Sequence, residues 1–340
     1  MYTAVVLLPF WSFEAALKVM FSMKLLFVAD PLESFKIYKD TTFAMMREAQ
    51  KRGHTLSACQ PKDIMWQRGG LVTAFVRDIT LTGQSAEWFS AEQQAPNERP
   101  AALKDFDAVV MRKDPPFDSE FFYATHLLEQ AEREGARVFN KPRALRDHPE
   151  KLAILEWPQF IGPTLVTRDA QDIRRFHAEY HDIILKPLDG MGGAGIFRVK
   201  EDGLNLGAII ETLNKEGAET VMVQKFLPAI AQGDKRVLVI GGQPVPYSLA
   251  RIPQGGEVRG NLAAGGKGVA QPLTARDREI AEAIGPVLFQ RGLLLIGLDV
   301  IGEHLTEINV TSPTCFQEIF DQTGFDVATV FIQALEAAQT

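Results

Sequence analysis

Short apolar runs alternate with longer amphipathic stretches through the first half of the chain. LLFVA at residues 25–29 has the composition of a buried strand. The spacing then predicts a helix over residues 42–52 with Gly53 as its C-cap, followed by a polar–apolar strand at 54–58. Residues 108–111 repeat the strand pattern, 120–134 read as a helix closed by Gly135, and 137–140 as a further strand. Alternation of this kind implies a doubly wound α/β domain. Open α/β sheets bind ligands beyond the carboxyl ends of their strands, which singles out Asp30-Pro31 and the run from Met111 to Pro116. Arg112 and Lys113 are therefore candidate substrate contacts, although an ordinary solvated pair would have the same pattern. No G-x-G-x-x-G follows the first strand, so the usual dinucleotide fold is not supported.

Farther on, residues 183–188 (IILKPL) read as a short strand ending near Lys186 and running into Asp189-Gly190-Met191-Gly192-Gly193-Ala194-Gly195, before IFRV resumes a strand. Four glycines in six residues let backbone N–H groups close on an anion without Cβ interference. The pattern fits a phosphate-covering hairpin, and a flexible hairpin tip is the plainer alternative. It is not a Walker A loop, because no Gly-Lys-Ser/Thr ends it and a strand follows. Residues 221–227 (VMVQKFL) form another apolar strand whose far end offers backbone donors and acceptors to an adenine edge.

Residues 293–301 and 305–310 read as a hairpin with Gly302-Glu303-His304 at the turn. Glu307 and Asn309 flank Ile308 and share one face of a period-two strand. An odd-length turn centred on Glu303 sets Asp299 opposite Glu307. Two carboxylates and an amide oxygen on one patch suit Mg²⁺, which completes its shell with water and substrate phosphates. A polar hairpin edge facing solvent would carry the same residues.

The 340 residues, 46% hydrophobic, are ample for two or three packed domains. A net charge of −7 argues against nonspecific nucleic-acid binding, so any phosphate site must be local. Two cysteines, Cys59 and Cys315, are too few for a disulfide framework and suit a reducing cytoplasm. Residues 1–22 are apolar but have no basic segment ahead of them, and Glu14 and Lys18 interrupt them. Met23 opens a self-sufficient first strand, so 1–22 read as an extension rather than an anchor, and no other stretch suits a membrane helix.

Taken together, Lys151 and Lys186 as paired phosphate contacts, the glycine-rich hairpin, a hinge from Gln224 through Phe226 to Leu227, and the Asp299, Glu307, Asn309 set resemble the ATP-grasp superfamily. MRKDPPFD (111–118), ILKPLDGMGG (184–193), GDKRVLV (233–239), ARIPQGGEVRGNLAAGGKG (250–268) and LTEINVTSPTC (305–315) resemble the bacterial glutathione synthetase family, with the motifs in order from Met23 to about Ala337. The resemblance implies a substrate-binding α/β domain over 23–148. An ATP-grasp domain over 149–337 follows, its two α+β subdomains clamping ATP and residues 149–228 forming the lid subdomain.

It further implies a carboxylate–amine ligase joining γ-glutamylcysteine to glycine through an acylphosphate, with ATP as co-substrate and two Mg²⁺, or Mn²⁺ in their place, per active site. Gly190, Gly192, Gly193, Gly195 and Asp234 join the lysines and hinge as nucleotide contacts. Arg236, Arg251 and Arg259 face the acyl substrate and developing charge, and Ser312 and Thr314 bind a substrate carboxylate. Residues 252–267, rich in glycine, have the composition of a mobile lid, with a plain surface loop as the alternative. A homo-oligomer, a tetramer in the family, is expected, with no nucleic-acid or membrane partner. The rivals are ATP-grasp ligases for D-alanine or glutamate tails, and a nucleotide-binding module without turnover.

Overall fold

The computed structural model describes residues 22–91, 99–257, 259–262 and 265–338. Apart from Ser22, the N-terminal extension lies outside the described residues. Three sheets account for the architecture, and each is built as its hydrophobic pattern requires.

The first sheet is doubly wound. Strand β1 (Lys24–Val28) lies between β2 (Thr55–Cys59) and β4 (Ala108–Met111), parallel to both, with Leu25 beside Leu56 and Ala108. Strand β5 (Val138–Phe139) continues the parallel set, and β3 (Thr73–Leu81) runs antiparallel to β2. Every second residue of β1 enters a different core. Leu25 and Phe27 pack with Met45 and Met46 of α1 (Thr41–Lys51), whereas Leu26 and Val28 pack with Phe121 and Leu128 of α2 (Ser119–Arg133). Both helices start on an aspartate, Asp40 accepting from the Phe43 N–H and Asp118 from the Phe121 N–H. Gly53 and Gly135, at φ 86° and 105°, stop them as expected.

The second sheet is antiparallel, in the order β8 (Phe197–Val199), β7 (Ile183–Pro187), β9 (Val221–Lys225), β6 (Thr164–Thr167). Helices α3 (Ala170–Tyr180) and α4 (Leu206–Asn214) cover it through Ile173, Phe176, Ile210 and Leu213. Leu185 pairs with Phe197, so residues 188–196 are the tip of a β-hairpin.

The third sheet runs β12 (Lys267–Pro272), β11 (Gln243–Ile252), β10 (Asp234–Ile240), β13 (Leu295–Ile301), β14 (His304–Asn309), all antiparallel. Val237, Leu298, Val300 and Ile308 pack on Ile280 and Ile284 of α5 (Ala275–Gln290). The opposite face is divided. Its apolar end, with Leu238, Ile240 and Leu249, meets Phe316 of α6 (Phe316–Thr323) and Phe331 of α7 (Val327–Ala337). Its charged end carries Asp234, Arg236, Arg251, Asp299 and Glu307.

One detail of the last hairpin differs from the sequence reading. The turn is the two-residue Gly302-Glu303, with Ile301 opposite His304 and Gly302 at φ 60°. An even turn alone would not place Asp299 opposite Glu307. A register shift between Asp299 and Val300 restores that pairing, so a bulge does what an odd-length turn was expected to do.

Asn140, at the end of β5, fastens the first sheet to the third. Its Nδ2 donates to Leu295 O and Val310 O, both at 2.8 Å, and its Oδ1 accepts from the Leu295 N–H at 3.0 Å. All three bonds are buried or nearly so, and alanine would strand their backbone partners. Asn140→Ala is expected to lower the unfolding free energy by about 2–4 kcal/mol in urea titration. A loss below about 1 kcal/mol would show that the two sheets are joined by apolar packing alone.

Candidate active site

The charged end of the third sheet is a consequence of register. Arg236 lies opposite Asp299, Asp234 opposite Arg251, Asp299 opposite Glu307 and Gly297 opposite Asn309, so these side chains fall in cross-strand rows on one face. Arg236 donates from Nε to Asp299 Oδ1 (2.6 Å) and from Nη2 to Oδ2 (3.2 Å). Arg251 Nη2 sits 2.6 Å from Asp234 Oδ2 and 2.9 Å from Asp299 Oδ2. Gly297 makes room for this array: a Cβ there would stand 2.7 Å from Arg236 Cδ. Burial pushes the Asp299 carboxyl up, but the two guanidinium charges outweigh it and hold the group well below the usual carboxylate range.

A cavity of about 300 Å³ opens over this face, roofed by the glycine-rich hairpin and by residues 259–262. It brings together Lys151, Lys186, Gly190, Gly192, Gly193, Gln224, Phe226, Leu227, Asp234, Arg236, Arg251, Arg259, Asp299, Glu307, Asn309, Ser312 and Thr314. Lys151 Nζ donates to Gly190 O (2.6 Å) and lies 3.3 Å from Glu307 Oε1, tying the hairpin to the third sheet. Lys186 is buried and donates to Thr306 O at 3.2 Å, and burial lowers its pKa from the ordinary lysine value. Arg259 donates from Nη1 to Gly193 O (3.3 Å), so the loop after β11 meets the hairpin tip.

Three of the expected contacts stand off the cavity wall. Gly195, at φ 71°, shapes the hairpin, where a Cβ would meet Pro187 Cγ at 3.0 Å. Arg112 is buried and donates to Thr42 Oγ1 (3.1 Å) and Pro313 O (3.0 Å), bracing the segment that carries Ser312 and Thr314. Burial lowers its pKa to about 10. Lys113 pairs with Asp30 at 2.9 Å, and its neighbour Asp114 lines the cavity, accepting from Ser312 Oγ at 2.5 Å. In the hinge, the Lys225 and Phe226 N–H groups donate to Pro163 O and Asp182 O, so both are spent within the protein.

The sequence reading missed Glu150, Thr306, Asn261 and Cys315, and placed Asp114 only within the run from Met111 to Pro116; all five are on the cavity wall. Glu150 Oε1 accepts from Val310 N (2.9 Å), Thr311 N (3.0 Å) and Thr311 Oγ1 (2.8 Å), with its backbone O accepting from Ile308 N. Its one sequence signal is adjacency to Lys151. Burial, reinforced by the Glu307 charge, pushes its carboxyl up.

The donor set suits a hard divalent cation. Asp299 and Glu307 are carboxylates on adjacent strands, and Asn309 uses its Nδ2 toward Gly297 O (3.2 Å), which turns amide chemistry the right way to free its Oδ1. A carboxylate has about four lone-pair sites. The arginines take three at Asp299, which leaves one for a ligand.

Comparison with known proteins identifies the family. The N-terminal domain model of prokaryotic glutathione synthetase matches residues 23–146, and the ATP-grasp domain model of the same family matches residues 150–324. The chain is 60% identical to glutathione synthetase of Ralstonia nicotianae over 316 residues, covering 93% of this chain and 96% of the relative. It is 59% identical to the Nitrosomonas europaea enzyme over 317 residues, covering 92% and 98%. Solved structures share the fold at low identity. The D-cycloserine synthetase DcsG superposes with a TM-score of 0.63 at 14% identity, covering 93% of this chain and all of that one. The ATP-grasp ligase PsnB with a minimal precursor gives 0.60 at 19% identity, covering 94% and 100%. Two family models that between them span nearly all of the described chain, with relatives this similar over their whole length, leave one assignment: the chain belongs to the prokaryotic glutathione synthetase family.

Proposed function

We propose that the protein joins γ-glutamylcysteine to glycine at the expense of ATP, forming glutathione, ADP and phosphate. The observation that carries this reading is the single cavity in which two phosphate-type lysines, two fixed arginines and an oxygen-donor set converge. A carboxylate is a poor electrophile, so the cysteinyl carboxylate must first accept the γ-phosphoryl group. Catalysis of that transfer is mainly positioning and charge neutralisation. In this reading Lys151 and Lys186 hold phosphate oxygens. Gly190, Gly192 and Gly193 cover them, and the hinge carbonyls with the Leu227 N–H read the adenine edge. Asp234, beside Arg251, meets the nucleotide's sugar end. Arg236 and Arg251, already fixed by Asp299, meet the acyl carboxylate without reorganising.

Asp299, Glu307 and Asn309 would hold Mg²⁺, or Mn²⁺ in its place, and the bound ion would neutralise phosphate charge. Residues 252–267 act as a lid that keeps water from the acylphosphate, with Arg259 bringing charge to its inner side. Ser312 and Thr314 bind a substrate carboxylate, while Arg112 and Lys113 support the acyl substrate through the 312–314 segment and Asp114. We assign residues 23–148 to the substrate-binding domain and 149–337 to the ATP-grasp domain. A reducing cytoplasm fits the two buried free cysteines. Among the described residues no helix is long and apolar enough to cross a membrane. Exposed Met65, Trp66, Phe75, Phe122 and Tyr123 offer apolar surface for the expected homotetramer.

A phosphate-release assay with Mg²⁺ and ATP tests the activity. Rapid phosphate is expected only when γ-glutamylcysteine and glycine are both present, with D-alanine or glutamate poor in glycine's place. Turnover with another acyl and amine pair, and not this one, would move the protein to a different ligase. Glu307→Gln removes a ligand charge with little change in volume, so folding should persist while kcat falls at least ~10²-fold. Wild-type turnover in that variant would remove Glu307 from the metal set.

A further inference from the structure

Two lysines face the phosphate region of the main cavity, and the fold holds them in different ways. Lys186 rides on β7 opposite Met222 of β9, so the second sheet fixes its main chain. Lys151 lies in no helix or strand. A smaller side cavity of about 180 Å³ adjoins the main one, and Glu150, Lys151, Gly190 and Thr311 line both. The segment at 150–151 is therefore bounded by open space on two sides. Lysine carries its charge on a flexible four-carbon stem, so the ammonium of Lys151 is placed only as well as its main chain is held.

Glu150 supplies that hold. Strand β14 is the edge of the third sheet, and the N–H groups of Ile308 and Val310, two residues apart, point to its free side. Glu150 takes both. Its main-chain O accepts from Ile308 N at 2.9 Å, and its Oε1 accepts from Val310 N (2.9 Å), Thr311 N (3.0 Å) and Thr311 Oγ1 (2.8 Å). The residue thereby docks along the strand that carries Glu307 and Asn309. Lys151, next in the chain, then reaches Glu307 Oε1 at 3.3 Å and Gly190 O at 2.6 Å. We infer that Glu150 is a positioning residue, which sets Lys151 between that strand and the glycine-rich hairpin by reach and hydrogen bonding rather than by charge. The assignment rests on the ligase reading above, in which Lys151 holds a phosphate oxygen. An ammonium fixed in advance meets developing phosphoryl charge without reorganising, and a small misplacement costs rate steeply. All three donors to Oε1 are neutral, so an amide oxygen can replace the carboxylate oxygen there.

Two conservative variants separate reach from charge. Glu150→Gln keeps the length and the accepting oxygen and loses the charge, whereas Glu150→Asp keeps the charge and is one methylene short of residues 310 and 311. With ATP, Mg²⁺, γ-glutamylcysteine and glycine, kcat of the glutamine variant is expected within about twofold of wild type, and that of the aspartate variant at least about tenfold lower. KM for γ-glutamylcysteine and for glycine should stay within about twofold in both. In a Lys151→Met background the aspartate substitution should cost nothing further, because its effect passes through Lys151. A merely structural tie would lower Tm and leave kcat of the folded protein alone, so wild-type kcat in the aspartate variant overturns the assignment. Loss of turnover in Glu150→Gln overturns it by giving the work to the charge, and this variant decides the matter even if the aspartate protein does not fold. Costs of Glu150→Asp and Lys151→Met that multiply overturn it as well. Wild-type protein that makes no peptide overturns the ligase reading and this assignment together, which distinguishes that failure from a failure at Glu150 alone.

Discussion

The Asp299 carboxylate, clamped between Arg236 and Arg251, is the constraint on which the site depends. Three charged groups taken largely out of water stabilise a fold poorly, because desolvation offsets most of their attraction. What they gain is rigidity: each guanidinium is fixed before any ligand arrives. The clamp exists only because β10 pairs with β11 and β13 in a register that places Arg236 against Asp299 and Asp234 against Arg251. A slip by one residue would turn the charges into the core beneath α5 and bring Lys235 and Val237 to the cavity.

That dependence explains how the rest of the fold is arranged. The reverse face of the same strands is apolar and packed on Ile280 and Ile284, so the register is set by core burial on one side and read out as chemistry on the other. Lys235, the one charge on the buried face, ion-pairs with Asp277, which also caps α5 through the Thr274 N–H. Asn140 and Arg112 then bind the first sheet to the strand ends and to the segment after β14.

Much of this was legible in the sequence because period-two and helical patterning are local. The alternation at Leu25 to Val28, the Gly53 and Gly135 stops, the hairpin over residues 188–196 and the shared face of Glu307 and Asn309 all follow from spacing. The bulge beside Asp299 was not legible, since an odd turn and an even turn plus a bulge give the same pairing and the sequence carries no mark to separate them. The setting of Arg112 was not legible for a different reason. A basic residue at a strand's carboxyl end marks a ligand site in general, yet here its guanidinium is consumed by Thr42 and Pro313 O, and the neighbouring Asp114 reaches the cavity. Glu150 left no periodic signal, because its importance comes from contacts with residues 308–311, far along the chain.

The cavity's charges are unevenly placed. Near the hairpin Lys151 donates to Gly190 O and pairs with Glu307, while Lys186 donates to Thr306 O and has no carboxylate within ion-pairing distance among the described residues. Glu150 reverses the sign at the opposite boundary, toward the side cavity. The two regions meet at the adjacent pair Glu150 and Lys151. Adjacent residues on one short segment cannot move independently by much. The short segment that carries Lys151 to the hairpin is therefore the same one that fixes Glu150 against residues 308–311.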